Sequence, residues 1–296
     1  MKNFIEKNLV IFDLDGTLAE SKQPMDSEMV RLLLELLEKK KVAVISGGSF
    51  EQFKKQFLPE FEGFEGAEGE DQASNHTLTM YIQRQSGSKK DMPTEEPSKI
   101  SSPSPYYGFP FSNLFLLPTS GSAMYIFKKD NWVNEYSHNL TASEKEKIYT
   151  AFKGAVEKSG EKMPEKTYGE ITEDRDSQIT FSAAGQQAPI EAKAQWDPTE
   201  KKRLHIVSLL KPLLPEFSIG IGGMTSIDVT KKGIDKAFGV RKICEYLKIS
   251  IEMALYVGDA LFPGGNDYAA RASGVECVEV ANVDETKKLI KEIINA

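Results

Sequence analysis

The sequence has only two cysteines, Cys244 and Cys277, among 296 residues. No spacing pattern surrounds them, so they read as buried reduced thiols and no disulfide framework is called for. Long apolar runs are missing too: nothing approaches the roughly 20 consecutive apolar residues a membrane helix needs. No apolar h-region stands ahead of the first strand, so the expected location is the cytoplasm. Positive charge is not in excess, with 37 Lys and Arg against 44 Asp and Glu and a formal net charge of −7. That balance argues against general affinity for nucleic acid or acidic membranes. What is present is ordinary for a water-soluble fold, 40% hydrophobic and 27% charged, in a length that suits one large domain or two smaller ones.

The informative stretch is Val10-Ile11-Phe12-Asp13-Leu14-Asp15-Gly16-Thr17-Leu18. Its apolar start reads as a buried strand ending in two carboxylates around one leucine, which alternation could point the same way. Gly16 then lets the chain turn. Carboxylates crowded at a strand end repel unless a cation or proton lies between them, so the pair points to a metal site. A second apolar strand, Val42 to Ile45, ends in Ser46-Gly47-Gly48-Ser49 before a helix from Phe50 to Phe57. Small residues and free N–H groups at a helix start suit an anion such as phosphate. Between these strands, Met29, Leu32, Leu33, Leu36 and Leu37 recur at helical spacing over roughly 26–39.

Residues 59–112 read as a flexible insertion, acidic and glycine-spaced at first and rich in Ser, Pro, Lys and Glu from Gln85 to Pro105, with a short strand at Thr77 to Gln83. Strands return at 114–117 and 123–127. Residues 136–221 then read as a helix from about Thr141 to Ser159, strands at Tyr168–Ile171, Ser177–Ser182 and Phe217–Ile221, and a helix opened by Asp197-Pro198, with a strand at Ser226–Val229 closing the section just past that limit. Such a unit is a small α+β cap inserted in a larger α/β domain. In the remainder, helix and strand alternate, and the strand Ala254 to Val257 runs into Gly258-Asp259 and Gly264-Gly265-Asn266-Asp267. The expected architecture is an α/β, Rossmann-like, doubly wound parallel sheet over 1–135 and 222–296, with the α+β cap between. A parallel sheet brings the strand ends at Asp13, Ser46 and Asp259 to one edge.

These motifs, in this order, resemble the haloacid dehalogenase superfamily of phosphotransferases: Asp13-Leu14-Asp15-Gly16-Thr17, Ser46, Lys236, and Gly258-Asp259 with Asn266-Asp267. An insert between the second and third motifs is similar to the type-IIB cap group. Gly47-Gly48-Ser49-Phe50, Asp228-Val229, Gly233-Ile234-Asp235-Lys236 and Pro263 to Asp267 are most similar to eukaryotic-type phosphomannomutases. The resemblance implies Asp13 as nucleophile forming an aspartyl-phosphate and Asp15 as general acid and base. It implies Mg²⁺ at Asp13, Asp15 (through its backbone carbonyl) and Asp259, supported by Asn266 and Asp267. Ser46, Gly47 and Lys236 would bind the transferring phosphoryl group.

In the cap, Arg175 falls where the family places one phosphate-clamping arginine, whereas Gln186 stands where a second is expected and the next basic residue is Lys193. A neutral amide gives no bidentate charged contact. Thr119-Ser120-Gly121 also departs from the acidic-Asn-Gly usual there. The sequence therefore favours Mg²⁺-dependent hydrolysis of a small phosphorylated metabolite, a sugar phosphate, with a hexose-phosphate mutase as the alternative. A non-catalytic phosphate-binding regulator would have lost a carboxylate, yet Asp13, Asp15 and Asp259 are all present. Assembly as an oligomer, for instance a dimer through the cap, stays open.

Overall fold

The structure is a computed structural model that describes residues 4–62, 110–222 and 224–296. The strand expected at 77–83 and the polar stretch 85–105 lie outside the described residues. Eleven strands among the described residues form two sheets. The large one comprises β1 (Leu9–Phe12), β2 (Lys41–Ile45), β3 (Leu114–Leu117), β4 (Ala123–Lys128), β5 (Asn131–Ser137), β10 (Ala254–Gly258) and β11 (Glu276–Glu279). Its order is β11-β10-β1-β2-β3-β4-β5, parallel through β3 and antiparallel at β4 and β5. The small sheet, order β6-β7-β9-β8, joins β6 (Thr172–Asp174), β7 (Gln178–Ser182), β8 (Phe217–Gly222) and β9 (Ser226–Lys231), all antiparallel.

The helices are α1 (Ser27–Lys39), α2 (Phe50–Gln56), α3 (Pro59–Glu62), α4 (Ala142–Ser159), α5 (Ile190–Trp196), α6 (Lys201–Leu210), α7 (Lys236–Leu247) and α8 (Val283–Ile294). Both faces of the parallel sheet are covered, which is why its strands are continuous apolar runs. Val10, Phe12, Val42 and Val44 pack on the α1 and α8 side. Leu9, Ile11, Ala43 and Ile45 pack on the α7 side. Alternation along each strand splits them. α1 begins at Asp26, whose carboxylate accepts the Met29 N–H at 2.9 Å and also takes Lys287 of α8 at 2.6 Å. The small sheet turns one face to α4 and α6, where Ile179, Phe181, Ile227 and Val229 meet Ile148, Phe152, Ile206 and Leu210. α4 starts with a capping box, Thr141 and Glu144 each bonding the other's backbone N–H.

Several details differ from expectation. The strand awaited at 168–171 lies at Thr172–Asp174, since its pairing is set by β7. Asp197-Pro198 does not open a helix at its proline: α5 stops at Trp196, α6 starts at Lys201, and the Asp197 carboxylate accepts the N–H groups of Lys202 and Arg203, each at 3.1 Å. β5 is mostly exposed, with only Trp132 and Tyr136 packed against the core, yet it pairs along β4 and takes the large sheet to Ser137, past the expected limit of 135. β9 belongs to the small sheet, which therefore runs to Lys231, past 221. Both ends of the expected insertion are packed: Phe61 and Phe111 are fully buried, edge to face at 5.1 Å.

Candidate active site

The parallel register brings the carboxyl ends of β1, β2 and β10 together. Asp13, just past β1, continues the ladder by donating its N–H to Val257 O at 2.9 Å, and its side chain is 3% exposed. Lys236, the first residue of α7 and equally buried, donates to Asp13 Oδ1 at 2.6 Å and to Asp267 Oδ1 at 2.5 Å. Asp235 caps that helix through the Phe238 N–H at 2.9 Å, which fixes where Lys236 emerges. Asp267 also accepts from the Tyr256 hydroxyl at 2.6 Å and the Ala260 N–H at 3.0 Å. Burial pushes the Asp13 carboxyl up, Lys236 pulls it back, and Asp267 and Asp259 push it up again. Burial pulls the Lys236 ammonium down, but Asp13 and Asp267 together hold it above its ordinary value. Burial likewise raises Asp259, with Asp267 adding to it.

Carboxylate oxygens of Asp13, Asp259 and Asp267 lie within 4.8 Å of one another. One buried ammonium does not balance three such groups. Asp13 Oδ2 is buried with no hydrogen-bond partner among the described residues. An orphaned hard oxygen beside two more carboxylates fits a small divalent cation. Gly16 serves this packing: its φ of +84° is left-handed, and a Cβ there would lie 2.5 Å from Asp259 Oδ2.

The turn after β2 is fixed from both sides. Ser46 Oγ accepts the Gly48 N–H at 3.0 Å, while Thr119 and Ser120 donate their N–H groups to the carbonyls of Gly48 and Ser46, each at 2.8 Å. The Gly47 carbonyl faces the cap, where it accepts from Arg175 Nη1 at 2.6 Å and Gln178 Nε2 at 3.2 Å. Arg175 also holds Glu173 Oε2 through Nε at 2.9 Å and Nη2 at 2.6 Å, and reaches Gln186 Oε1 at 3.4 Å.

Lys22 Nζ, from the loop after the first motif, donates to the Gln186 carbonyl at 2.9 Å. Lys193 of α5, 9% exposed, lies by it. Burial and the Lys22 ammonium push the Lys193 pKa down to about 8, and Asp15 only partly offsets them.

Of the residues singled out from sequence, Asp13, Asp259, Asp267 and Lys236 form one buried cluster, with Ser46 and Gly47 on the neighbouring strand end. Asp15 is not in that carboxylate group: its Oδ1 accepts the Lys22 N–H at 2.6 Å and Gln56 Nε2 at 3.0 Å. β1 has already ended, so strand alternation no longer applies. Asn266 is exposed on the loop beside Asp267. Arg175, Gln186 and Lys193 all reach the seam between cap and core. Lys22, Tyr256 and Gln178 escaped the sequence reading. Gln178 had a signal in the alternation of Gln178, Ile179, Thr180 and Phe181, whereas Lys22 sits in a polar loop with none.

Residues 146–296, half of the chain, match the family model described as eukaryotic phosphomannomutase. The chain belongs to the eukaryotic phosphomannomutase family. Membership makes it an enzyme of the haloacid dehalogenase superfamily, in line with its four motifs. The phosphomannomutase of Encephalitozoon cuniculi is 25% identical over 297 residues, spanning 98% of this chain and 94% of that one. The Saccharomyces cerevisiae phosphomannomutase is 22% identical, spanning 98% and 95%. Among solved structures, an IMP-nucleotidase of Plasmodium falciparum superposes with a TM-score of 0.62 at 14% identity, covering 98% of this chain and 68% of that one. A trehalose-6-phosphate phosphatase related protein gives 0.50 at 14% identity, with 97% of each chain covered. At such identities these two likenesses speak for the fold alone. Among the described residues no helix is long and apolar enough to cross a membrane.

Proposed function

We propose that the chain moves a phosphoryl group between two positions of a hexose phosphate, as a mutase of the phosphomannomutase kind, through an aspartyl-phosphate on Asp13. Asp13 attacks phosphorus and the sugar oxygen leaves, protonated by Asp15. The same Asp15 then takes the proton from the incoming hydroxyl as the group is handed back. Lys236 and the turn Ser46-Gly47 receive the phosphoryl oxygens. Asp13, Asp259, Asp267 and the Asp15 carbonyl would hold Mg²⁺, which when bound neutralises charge on the transferring group. Tyr256 positions Asp267, and so Lys236, through its hydroxyl.

One observation carries the mutase reading. The cations fall into two separate groups, Lys236 in the core and Arg175, Lys22 and Lys193 at the seam with the cap. A mutase needs both, because its bisphosphate intermediate must be held at either end. The lysines restore at the seam the charge that Gln186 lacks, which moves the balance away from simple hydrolysis. Hydrolysis remains the second reading, favoured by the engagement of Arg175 with Glu173.

Product analysis tests this. Purified protein receives Mg²⁺ and mannose 1-phosphate, with and without catalytic hexose 1,6-bisphosphate. Bisphosphate-dependent mannose 6-phosphate with little free phosphate is expected. Stoichiometric inorganic phosphate in both arms would make the chain a phosphatase.

A further inference from the structure

The small sheet has a second face. With Ile179, Phe181, Ile227 and Val229 turned to the helices, alternation turns Gln178, Thr180 and Ser182 of β7 the other way, paired with Thr230, Asp228 and Ser226 of β9. This face is polar throughout, and it meets the core at the Gly47 carbonyl.

Gln178 is 0% exposed. Both its N–H groups are used, on Gly47 O at 3.2 Å and Thr180 Oγ1 at 2.9 Å. The reversed amide would set its oxygen against the Gly47 carbonyl, so the orientation is fixed. Thr180 in turn spends its hydroxyl proton on Asp228 Oδ1 at 2.7 Å. Gln178 Oε1 is thereby left buried with no partner among the described residues. Leaving such an acceptor unmade is unfavourable, and native folds rarely tolerate it without a use. Asp228, a second acceptor, faces the same turn: its Oδ2 lies 3.7 Å from the point a Cβ on Gly47 would occupy. It comes this close to β8 only because Gly222 has no side chain, since a Cβ there would be 2.5 Å from the same oxygen.

Two acceptors, one neutral and one acidic, next to that turn offer bonds to neutral donors such as hydroxyls, while a phosphate is left to the neighbouring seam cations. We infer that Gln178 Oε1 accepts a hydrogen bond from a hydroxyl group of the substrate, making Gln178 a specificity-determining residue that selects a polyhydroxylated phosphate ester over one lacking hydroxyls. This rests on the proposed phosphoryl transfer at Asp13.

The test compares wild type and Gln178→Leu on mannose 1-phosphate, on its singly deoxygenated analogues, and on 4-nitrophenyl phosphate, which has no sugar hydroxyl. A buried group left without its substrate hydroxyl discriminates strongly, so the ratio of kcat/KM for mannose 1-phosphate over that for 4-nitrophenyl phosphate is expected to fall at least about 10-fold in the variant. One deoxy analogue should suffer the same loss with wild type and no further loss with the variant. An unchanged ratio, or equal sensitivity of both proteins to every deoxy analogue, overturns the inference. Turnover of 4-nitrophenyl phosphate but of no sugar phosphate overturns it as well. If Gln178→Leu does not fold, Gln178→Asn is read identically, because it withdraws the carbonyl by one carbon while staying polar. Failure of the underlying reading looks different: Asp13→Asn would then leave 4-nitrophenyl phosphate turnover intact.

Discussion

Lys193 offers a sharp physical test of the seam. Its ordinary value of 10.5 is driven to about 8 by burial and by the Lys22 ammonium. At about 1.4 kcal/mol per unit, that displacement corresponds to about 3 kcal/mol of native-state destabilisation while the group is charged. Below pH 8 the native and unfolded chains both hold the proton, and the penalty is present in full. Between 8 and 10.5 the native chain releases its proton while the unfolded chain keeps it, so stability rises with pH. Above 10.5 nothing remains of it. Lys193→Met keeps the apolar stem and removes the charge. In urea denaturation without phosphate, the variant should therefore be the more stable protein at pH 7, by as much as about 3 kcal/mol, with the gap narrowing from pH 8 and closing above 10.5. Inorganic phosphate should raise the Tm of wild type at pH 7 more than that of the variant, because a bound anion relieves the repulsion between Lys22 and Lys193. A variant less stable than wild type at pH 7, or a gap that ignores pH, would refute this reasoning.

Other perturbations probe the core. Asp13→Asn should cut turnover at least about 1000-fold on any phosphate ester, since the nucleophile is lost at nearly constant volume, with far-UV circular dichroism unchanged. EDTA should bring turnover to background and added Mg²⁺ restore it; activity that persists under chelation would contradict the Asp13, Asp259 and Asp267 assignment. Tyr256→Phe deletes the hydroxyl on Asp267, and a buried bond to a charged acceptor supports a loss of about 1.5–3 kcal/mol in denaturant titration together with slower turnover. In the cap, Arg203→Met strands Asp197, whose side chain is 1% exposed, and should cost about 3–5 kcal/mol in the same assay.

The core was legible because its strands are buried on both faces and end in residues that no apolar run predicts. Asp13, Ser46 and Asp259 announce themselves by interrupting Val, Ile and Phe, and parallel topology does the rest. The sequence placed Asp267 in a supporting role; folding adds that its carboxylate shares Lys236 with Asp13, a contact made by residues 31 positions apart. Strand alternation does not carry to Asp15, because β1 ends at Phe12. Less of the cap could be read. Its strands are short, β6 having only three residues, and α5 and α6 are broken at Asp197 by tertiary bonds rather than by a local signal. The alternation in β7 was visible, but not which face would meet the core. Lys22 lies 171 residues from Lys193, and nothing local ties the two together.

The cap touches the turn after β2 through a main-chain atom, the Gly47 carbonyl. No substitution at position 47 can remove that acceptor, so the core always offers the same handle. Variation is free on the other side only, in Arg175 and Gln178. A lineage can thus exchange the residues that choose a substrate without disturbing those that carry out the reaction, and new specificities can arise on a fixed chemistry one cap strand at a time.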